Sequence, residues 1–177
     1  MTSPAEHLVL RPFTLEDEQA ARAAHRAMAS EDFSFLLEQT EGDSWSQYLD
    51  TLGRVRRGVG LAPGRVPATF LVAEVGGCIV GRTSIRHELN DWLLARGGHI
   101  GYGVLPGARR RGYATEILRQ SLVIARSYGV REALLTVDDD NVGSIAVVEA
   151  AGGRRDPAWP GDELDGRPIG RYWIPLP

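Results

Sequence analysis

The sequence predicts an α/β (α+β) fold: a mixed, mostly antiparallel central sheet of about six to seven strands flanked by about four helices. We expect a single domain over residues 1–177. Apolar residues recur at strand spacing in some segments and at helical spacing in others. Two β-rich runs are separated only by Gly76-Gly77, which is typical of an antiparallel hairpin. The length and the apolar fraction of 43% suit one sizeable core.

Each predicted element has a local sequence signal. The first helix begins with a capping box from Thr14 to Asp17. Gly129 suits the end of the third helix, and a pair of glycines suits the end of a fourth helix that opens at Asn141. In chain order we predict a strand at 8–12, helices at 14–27 and 45–57, strands at 69–75, 78–86 and 97–104, a helix at 114–128, a strand at 133–137, a helix at 141–151 and a strand at 170–174.

The segment at 97–114 organises the chain. Bulky residues alternate with glycines at 99–104, as in a strand with one bulky face, and Pro106 ends that strand. Three arginines at 109–111 and Gly112 then lead into a helix. Backbone N–H groups at a helix start favour an anion, and the arginines add positive charge. A diphosphate is the expected ligand of this loop.

The composition excludes several classes of function. A net charge of −3 gives no basic field for nucleic acid. The N-terminus has no signal-peptide pattern and the apolar runs are too short for a bilayer, so we expect a cytoplasmic protein. The single cysteine, Cys78, excludes an internal disulfide and a cysteine zinc cluster. All 20 basic residues are arginine, which excludes a phosphate-binding lysine and a lysine Schiff base.

Two ordered motifs, about thirty residues apart, resemble those of one family. Together with the strand, loop, helix and strand around them, they resemble the GNAT N-acetyltransferases over residues 97–153, and the earlier elements fit the same family. Segments at 86–90, 97–102 and 170–174 further resemble a bacterial branch of predicted acetyltransferases. The two motifs are Arg109-x-x-Gly112-x-Ala114 and Asn141-x-x-Ser144-x-x-x-Val148-Glu149-x-x-Gly152.

The resemblance implies acetyl-CoA as co-substrate and no metal. It also implies that strands 98–104 and 132–137 splay apart around the cofactor. The loop amides would hold the pyrophosphate, the first strand would pair with the pantetheine, and Asn141 would lie near the thioester. The implied cofactor-binding residues are Tyr102, Gly103, Val104, Arg109, Arg110, Arg111, Gly112, Tyr113, Ala114, Thr115, Asn141 and Ser144.

The catalytic residues are less clear from the resemblance, because many family members have a tyrosine where this chain has Val148. That tyrosine protonates the departing thiolate, which valine cannot do. Ser144, one helical turn earlier, is the substitute candidate and resembles a serine of ribosomal-protein acetyltransferases. His99, His87 and Glu88 are candidates for the base, and a backbone strand N–H near position 104 would polarise the thioester. A structural role for His99 and a solvated carboxylate at Glu88 are open alternatives.

The acceptor site is predicted from residues 31–64 and 86–96, which should flank the open end of the cleft. Carboxylates there would attract a cationic amine, so we expect the primary amine of a small molecule or peptide as acceptor, acetylated by direct attack. A solvated surface and simple packing of these segments on the sheet are the alternatives. The predicted apolar walls are Phe33, Phe35, Trp45 and Trp92, and the carboxylates are Glu31, Asp32, Glu38, Glu41, Asp43, Glu88 and Asp91.

A second class of function stays open. The valine at 148 also fits a catalytically silent acyl-CoA-binding or interaction protein of the same fold. A dinucleotide site is excluded, because no Gly-x-Gly-x-x-Gly opens a helix after a first strand. The expected partners are therefore acetyl-CoA and an amine, without nucleic acid or membrane, and a homodimer is compatible with the sequence.

Overall fold

The computed structural model describes residues 7–31, 33–159, 162–164 and 167–176. Residues 1–6, on which the signal-peptide prediction rests, and Asp32 lie outside the described residues. The described strands are β1 (Val9–Arg11), β2 (Ala68–Val75), β3 (Cys78–Arg86), β4 (Ile100–Val104), β5 (Glu132–Asp138), β6 (Arg154–Arg155), β7 (Asp162–Leu164) and β8 (Arg167–Pro175). The described α-helices are α1 (Glu18–Ala29), α2 (Trp45–Arg57), α3 (Asp91–Ala95), α4 (Tyr113–Ser127) and α5 (Val142–Ala150).

The strands form two antiparallel sheets, which confirms the predicted fold class. The first sheet has the order β1-β2-β3-β4, and the second has the order β5-β8-β6 with β7 also paired to β8. Gly76 and Gly77 join β2 to β3 at φ values of 57° and 79°. Two successive residues at positive φ suit a tight hairpin turn, and glycine adopts them without steric cost.

The two sheets meet where β4 begins. The backbone N–H of His99 donates to the carbonyl of Leu134 (2.7 Å), and the N–H of Leu134 donates to Nδ1 of the His99 ring (3.0 Å). Gly98 lies so close to Leu134 that an added Cβ would overlap the carbonyl group of that residue. Beyond this junction β4 and β5 belong to different sheets, in agreement with the expected splay.

Helices cover both faces of the first sheet. On one face, Thr83 of β3 contacts Ser121 of α4 (Oγ1 to Oγ, 3.0 Å). On the other face, Val72 of β2 packs in a core cluster with residues of α1 and α2. Arg82 precedes Thr83 in β3 and therefore points to the other face, the one that α1 and α2 cover. The buried residues of α4 are Tyr113, Ile117, Leu118, Ser121 and Ala125.

Helix α2 has the predicted bounds because its two ends carry strong signals. At its start, the hydroxyl of Ser44 accepts from the backbone N–H of Gln47 (3.3 Å), and the side chain of Gln47 accepts from the N–H of Ser44 (2.8 Å). At its end, Gly58 adopts φ 67° and donates to the last carbonyls. Together these groups satisfy backbone atoms that a helix leaves unpaired at its ends.

The prediction that Phe35 and Trp45 form walls of an acceptor pocket is wrong. Phe35 is only 1% exposed and Trp45 only 4% exposed. Both lie in the core cluster between α1, α2 and the sheet, and the Trp45 indole donates to the carbonyl of Thr14 (2.9 Å). Their side chains therefore stabilise the fold, which was the alternative interpretation of this segment.

Three short elements lack a sequence signal. Helix α3 has five residues and depends on Asn90, whose side chain accepts from the N–H of Leu93 (2.9 Å). Strands β6 and β7 have two and three residues and exist through their pairing with β8. Segments this short do not repeat a helical or strand period often enough to be recognised in the sequence. No helix in the described part of the chain is long and apolar enough to cross a membrane.

The sheet junction gives a test of the fold. Gly98→Ala should lower the free energy of unfolding by about 2 kcal/mol or more, because φ is +62° and the new methyl group overlaps Leu134. Urea denaturation followed by circular dichroism measures the change. Gly53→Ala, inside α2 and near only a flexible arginine end, should be neutral or stabilising. Equal stability of the Gly98 variant and the wild type would show that the close contact between Gly98 and Leu134 is not needed for stability.

Candidate functional site

Strand β4 has one paired edge and one open edge. Arg86 of β3 donates its backbone N–H to the carbonyl of His99 (2.7 Å), which fixes which residues bond to β3. In an antiparallel pair, alternate residues exchange hydrogen bonds with the neighbour and the others point away. The backbone groups of residues 100, 102 and 104 therefore point away from β3. An extended ligand could pair with this edge as an additional strand.

The loop after β4 arranges backbone N–H groups around the start of α4. Pro106–Ala108 forms a 3-10 turn, and Arg110 and Gly112 then adopt positive φ values of 63° and 80°. Gly112 is the N-cap of α4 and has no side chain to cap the helix. Among the described residues, nothing accepts from the backbone N–H groups of 110–112. Such a loop at a helix start is a site for phosphate.

The three arginines of this loop have different surroundings. Arg109 donates from Nε to the carbonyl of Val104 (3.1 Å) and forms an ion pair with Glu31. Hydrogen bonding to Arg109 lowers the pKa of Glu31 below its usual value. Arg110 and Arg111 are exposed and have no ion pair with any described residue. Arg109 thus ties the loop to β4, while the other two guanidinium groups are available for an anion.

On the opposite side of the cleft, α5 presents a serine to β4. The side chain of Asn141 caps α5 by accepting from the N–H of Ser144 (3.0 Å). The Ser144 hydroxyl lies 3.0 Å from the hydroxyl of Tyr102. Val148, one turn later, is fully buried in the core. A pair of hydroxyl groups, from β4 and α5, therefore stands beside the position where the family resemblance expects a tyrosine.

The surroundings of Tyr102 keep its hydroxyl protonated. Burial raises the pKa of Tyr102, and the hydrogen bond with Ser144 acts in the opposite direction but is weaker. Burial disfavours the charged phenolate, so the neutral phenol is the stable form near pH 7. Sequence reasoning assigned Tyr102 to cofactor binding through its backbone. It could not foresee this hydrogen bond, which joins residues 42 positions apart.

The three base candidates lie in different surroundings. His99 is 8% exposed, and burial, with a smaller effect of Arg86, lowers its pKa to about 4. Because Nδ1 of His99 accepts from Leu134, a neutral ring carries its proton on Nε2. His87 stacks on Tyr128 at 3.6 Å and contacts a threonine hydroxyl, whereas Glu88 is exposed. No described cluster of His, Cys, Asp and Glu could hold a metal ion.

The glycine face of β4 is covered by the chain itself. The ring of Phe33 lies against Gly103, where an added Cβ would overlap the ring. The guanidinium of Arg82 stands over the same ring, 4.2 Å from its centre. Sequence reasoning did not identify Arg82 as part of this surface. The pattern that could have identified it is the alternation of Arg82, Ser84 and Arg86 in β3, which puts all three on the face opposite α4.

The predicted acceptor-site charges are partly neutralised. Glu31 pairs with Arg109, and Glu38 pairs with Arg65. Glu41, Glu88 and Asp91 are exposed, and Trp92, which follows Asp91 in α3, is 59% exposed. A preference for a cationic amine therefore rests on fewer free carboxylates than the sequence suggested, and it stays a prediction.

Comparison with known proteins identifies the family of this chain. A family model described as an acetyltransferase (GNAT) domain matches residues 7–154. The chain belongs to this GNAT acetyltransferase family, as its motifs suggested. No curated protein sequence matches it.

Solved structures with the same fold are similar over nearly the whole chain. RimJ of Mycobacterium smegmatis, in complex with CoA-disulfide, has a TM-score of 0.69 at 23% identity, covering 98% of this chain and 84% of its own. The yncA protein of Salmonella typhimurium, with its cofactor acetyl-CoA, scores 0.65 at 15% identity, with coverages of 97% and 95%. Spermidine N-acetyltransferase of Vibrio cholerae, with CoA and spermine, scores 0.65 at 15% identity, with coverages of 97% and 96%.

The buried imidazole predicts a pH dependence of stability. The pKa of His99 is about 4 in the folded chain and near 6.5 when unfolded, so the unfolded chain binds more protons between these values. Stability is therefore lost as the pH falls below 6.5, by about 2 kcal/mol between pH 7 and pH 5 from this residue. Urea denaturation of the wild type and His99→Gln at both pH values isolates the contribution. An equal loss in both proteins would contradict it.

Proposed function

We propose that the chain is an N-acetyltransferase that transfers an acetyl group from acetyl-CoA to the primary amine of a small molecule or peptide by direct attack. One observation carries the proposal: the open edge of β4 leads into an uncapped helix start flanked by free arginines. Membership of the acetyltransferase family supports the chemistry. Two structural neighbours, one with acetyl-CoA and one with CoA, support the choice of co-substrate.

The residues present fit a diphosphate-containing acyl carrier. Acetyl-CoA would supply an activated acetyl group as a thioester. The backbone N–H groups at 110–115 and the guanidinium groups of Arg110 and Arg111 would bind its diphosphate. The backbone groups of Tyr102 and Val104 on the open edge of β4 would pair with the extended arm of the carrier. The side-chain N–H₂ of Asn141 is available for a further contact, since its oxygen caps α5.

We assign proton donation to the pair formed by Tyr102 and Ser144. Acetyl transfer leaves a thiolate that must be protonated, and a hydroxyl held in its neutral form can provide the proton. Burial favours the neutral form of Tyr102, and Ser144 can pass or accept a hydrogen bond from it. Val148 has no polar atom and is enclosed in the core, so it cannot contribute.

The reaction also requires a base. The attacking amine must be neutral, and His99 or Glu88 would remove its proton, directly or through water. For His99 this would require release of the Leu134 N–H from Nδ1, because the other ring nitrogen carries a proton. Glu88 is exposed and free to contact solvent. Both assignments stay predictions from the sequence, as do the homodimer and the cytoplasmic location.

An alternative is a catalytically silent acyl-CoA-binding protein, which the loss of a tyrosine at position 148 favours. The two functions differ in one measurement: release of free thiol from acetyl-CoA in the presence of amines. Primary amines should give thiol and an N-acetyl product in equal amounts. Binding of CoA without thiol release from any primary amine would favour the silent protein.

The loop gives a direct test of CoA binding. Gly112→Val should abolish CoA binding, because valine resists a φ of 80° and the N–H groups at the start of α4 would turn away. Isothermal titration calorimetry with CoA measures this, with circular dichroism to check the fold. Gly107→Val, at a glycine in open space without positive φ, is the matched control. Unchanged affinity of the Gly112 variant would refute the assignment of the loop.

The hydroxyl pair gives a test of the acid. Ser144→Ala and Tyr102→Phe should each lower kcat by roughly ten- to ten-thousand-fold while CoA affinity stays nearly intact. The double variant should lose little more than the worse single variant, because the groups act as a unit. Ser127→Ala, which removes an exposed hydroxyl at the end of α4, should keep wild-type turnover. Wild-type turnover in both single variants would remove the pair from the mechanism.

A further inference from the structure

A charged side chain is buried beneath Phe33 without an acidic partner. Arg82 is 4% exposed. One terminal nitrogen donates to the carbonyl of Ser34 (2.6 Å), and the other makes long contacts of 3.4 Å with Ser84 and Gly101. Its Nε is buried and has no hydrogen-bond partner. Backbone carbonyls and an aromatic ring therefore satisfy this guanidinium only in part.

A second arginine and a tyrosine extend this polar surface. Arg86, two residues later in β3, donates to the carbonyls of Gly97 (3.2 Å) and Gly98 (3.4 Å). The hydroxyl of Tyr48, from α2, is buried near Arg82 and has no partner either. No described carboxylate forms an ion pair with Arg82 or Arg86. Two positive groups and two unpaired donors thus share the sheet face that α1 and α2 cover.

This arrangement is costly in the absence of an anion. Burial, with a smaller effect of Arg86, lowers the pKa of Arg82 to about 9. Burial likewise lowers the pKa of Arg86 to about 10. Taking a guanidinium out of water costs several kcal/mol unless a carboxylate and good hydrogen bonds compensate. A carboxylate suits this place because it accepts two parallel hydrogen bonds from a guanidinium.

The cover over this surface is a single ring on an irregular segment. Phe33 lies between α1 and α2, in a stretch without regular secondary structure, and its ring fills the space above Gly103 and Arg82. The segment is anchored in the core by the buried side chain of Phe35, and two ion pairs, Glu31 to Arg109 and Glu38 to Arg65, flank it. The Phe33 ring is only half-buried, so rotation of this one side chain would uncover Arg82 while the backbone stays in place.

The position fits the acceptor rather than the acyl carrier. Gly101 and Gly103 alternate in β4 with Tyr102, whose hydroxyl reaches Ser144 on the other side of the strand. The acid and the arginines therefore lie on opposite faces of β4, with its open edge between them. A molecule held by Arg82 would approach that edge from the side opposite the proton donor.

We propose that Arg82 and Arg86 bind the carboxylate of the acceptor, which is therefore an amino acid or a close analogue that carries an amine and a carboxylate in one molecule. Phe33 covers this site and moves aside when the acceptor enters. The inference rests on the proposed function, because it names the acceptor class of that reaction. The arginines would also lower the pKa of the bound ammonium group, which favours the neutral amine that attacks.

The wild-type protein tests this without any variant. Each of the twenty amino acids is offered as acceptor in two forms, the free acid and the amide, with acetyl-CoA as the acyl donor. Spermidine, a cationic amine that lacks a carboxylate, is the control acceptor. For the side chains that are accepted, kcat/KM for the acid should exceed that for the amide by roughly ten- to hundred-fold, the range of a charged hydrogen bond. Equal rates for acids and amides, or spermidine as the best acceptor, would overturn the proposal.

Variants locate the effect at the two arginines. Arg82→Gln, and Arg86→Gln if the first variant folds poorly, should remove the preference for the acid while CoA affinity is retained. Arg126→Gln removes an exposed charge from α4 and should keep the preference. Phe33→Ala should lower KM for the accepted acids and keep the preference. A preference that survives both arginine substitutions would exclude this carboxylate site.

A CoA titration distinguishes failure of the proposed function from failure of the acceptor assignment. Failure of the wild type to bind CoA would reject the proposed function itself. Binding of CoA together with acetylation of amines regardless of a carboxylate would leave the proposed function standing and reject only the acceptor class. Binding of CoA with no acetylation of any amino acid would also reject the acceptor class.

Discussion

The contact between His99 and Leu134 is the constraint on which the rest of the structure depends. A backbone hydrogen bond and a ring hydrogen bond hold the start of β4 against β5, and Gly98 permits the approach because it has no side chain. The ring must be neutral for Nδ1 to accept, and burial keeps it so. From this fixed point the strands enter different sheets, which leaves one edge of β4 open. The open edge thus results from a firmly anchored strand start.

The period of two in β4 separates the tasks of its neighbours. The bulky face carries Tyr102 towards Ser144, and the glycine face accepts the Phe33 ring and the Arg82 guanidinium. Side chains from the two faces cannot interfere, because the strand itself lies between them. Burial therefore keeps the Tyr102 hydroxyl, the proposed proton donor, neutral on one side, while uncompensated positive charge is kept on the other. Only the backbone edge is shared by both sides.

Local signals in the sequence predicted most of the elements but few of the site contacts. The capping groups at the ends of α2 and the glycine at the start of α4 are local features, so the helix bounds and the loop between β4 and α4 could be predicted. The bond between Tyr102 and Ser144 and the burial of Arg82 depend on distant packing. No local sequence pattern indicates such contacts, and the sequence alone does not distinguish a buried arginine from a solvated one. The prediction for Trp45 is wrong for the same reason, because aromatic side chains are common both in protein cores and in the walls of pockets.

The valine at position 148 has a structural consequence as well as a chemical one. Its side chain is fully buried, and Gly153 packs so closely against it that an added Cβ would overlap it. This contact fixes the end of α5, while Asn141 caps the start of the helix through the N–H of Ser144. A helix held at both ends presents the Ser144 hydroxyl in one position, where the Tyr102 hydroxyl from β4 meets it. Because proton donation depends on the position of the hydroxyl, a tyrosine on the strand can serve in place of a tyrosine on the helix.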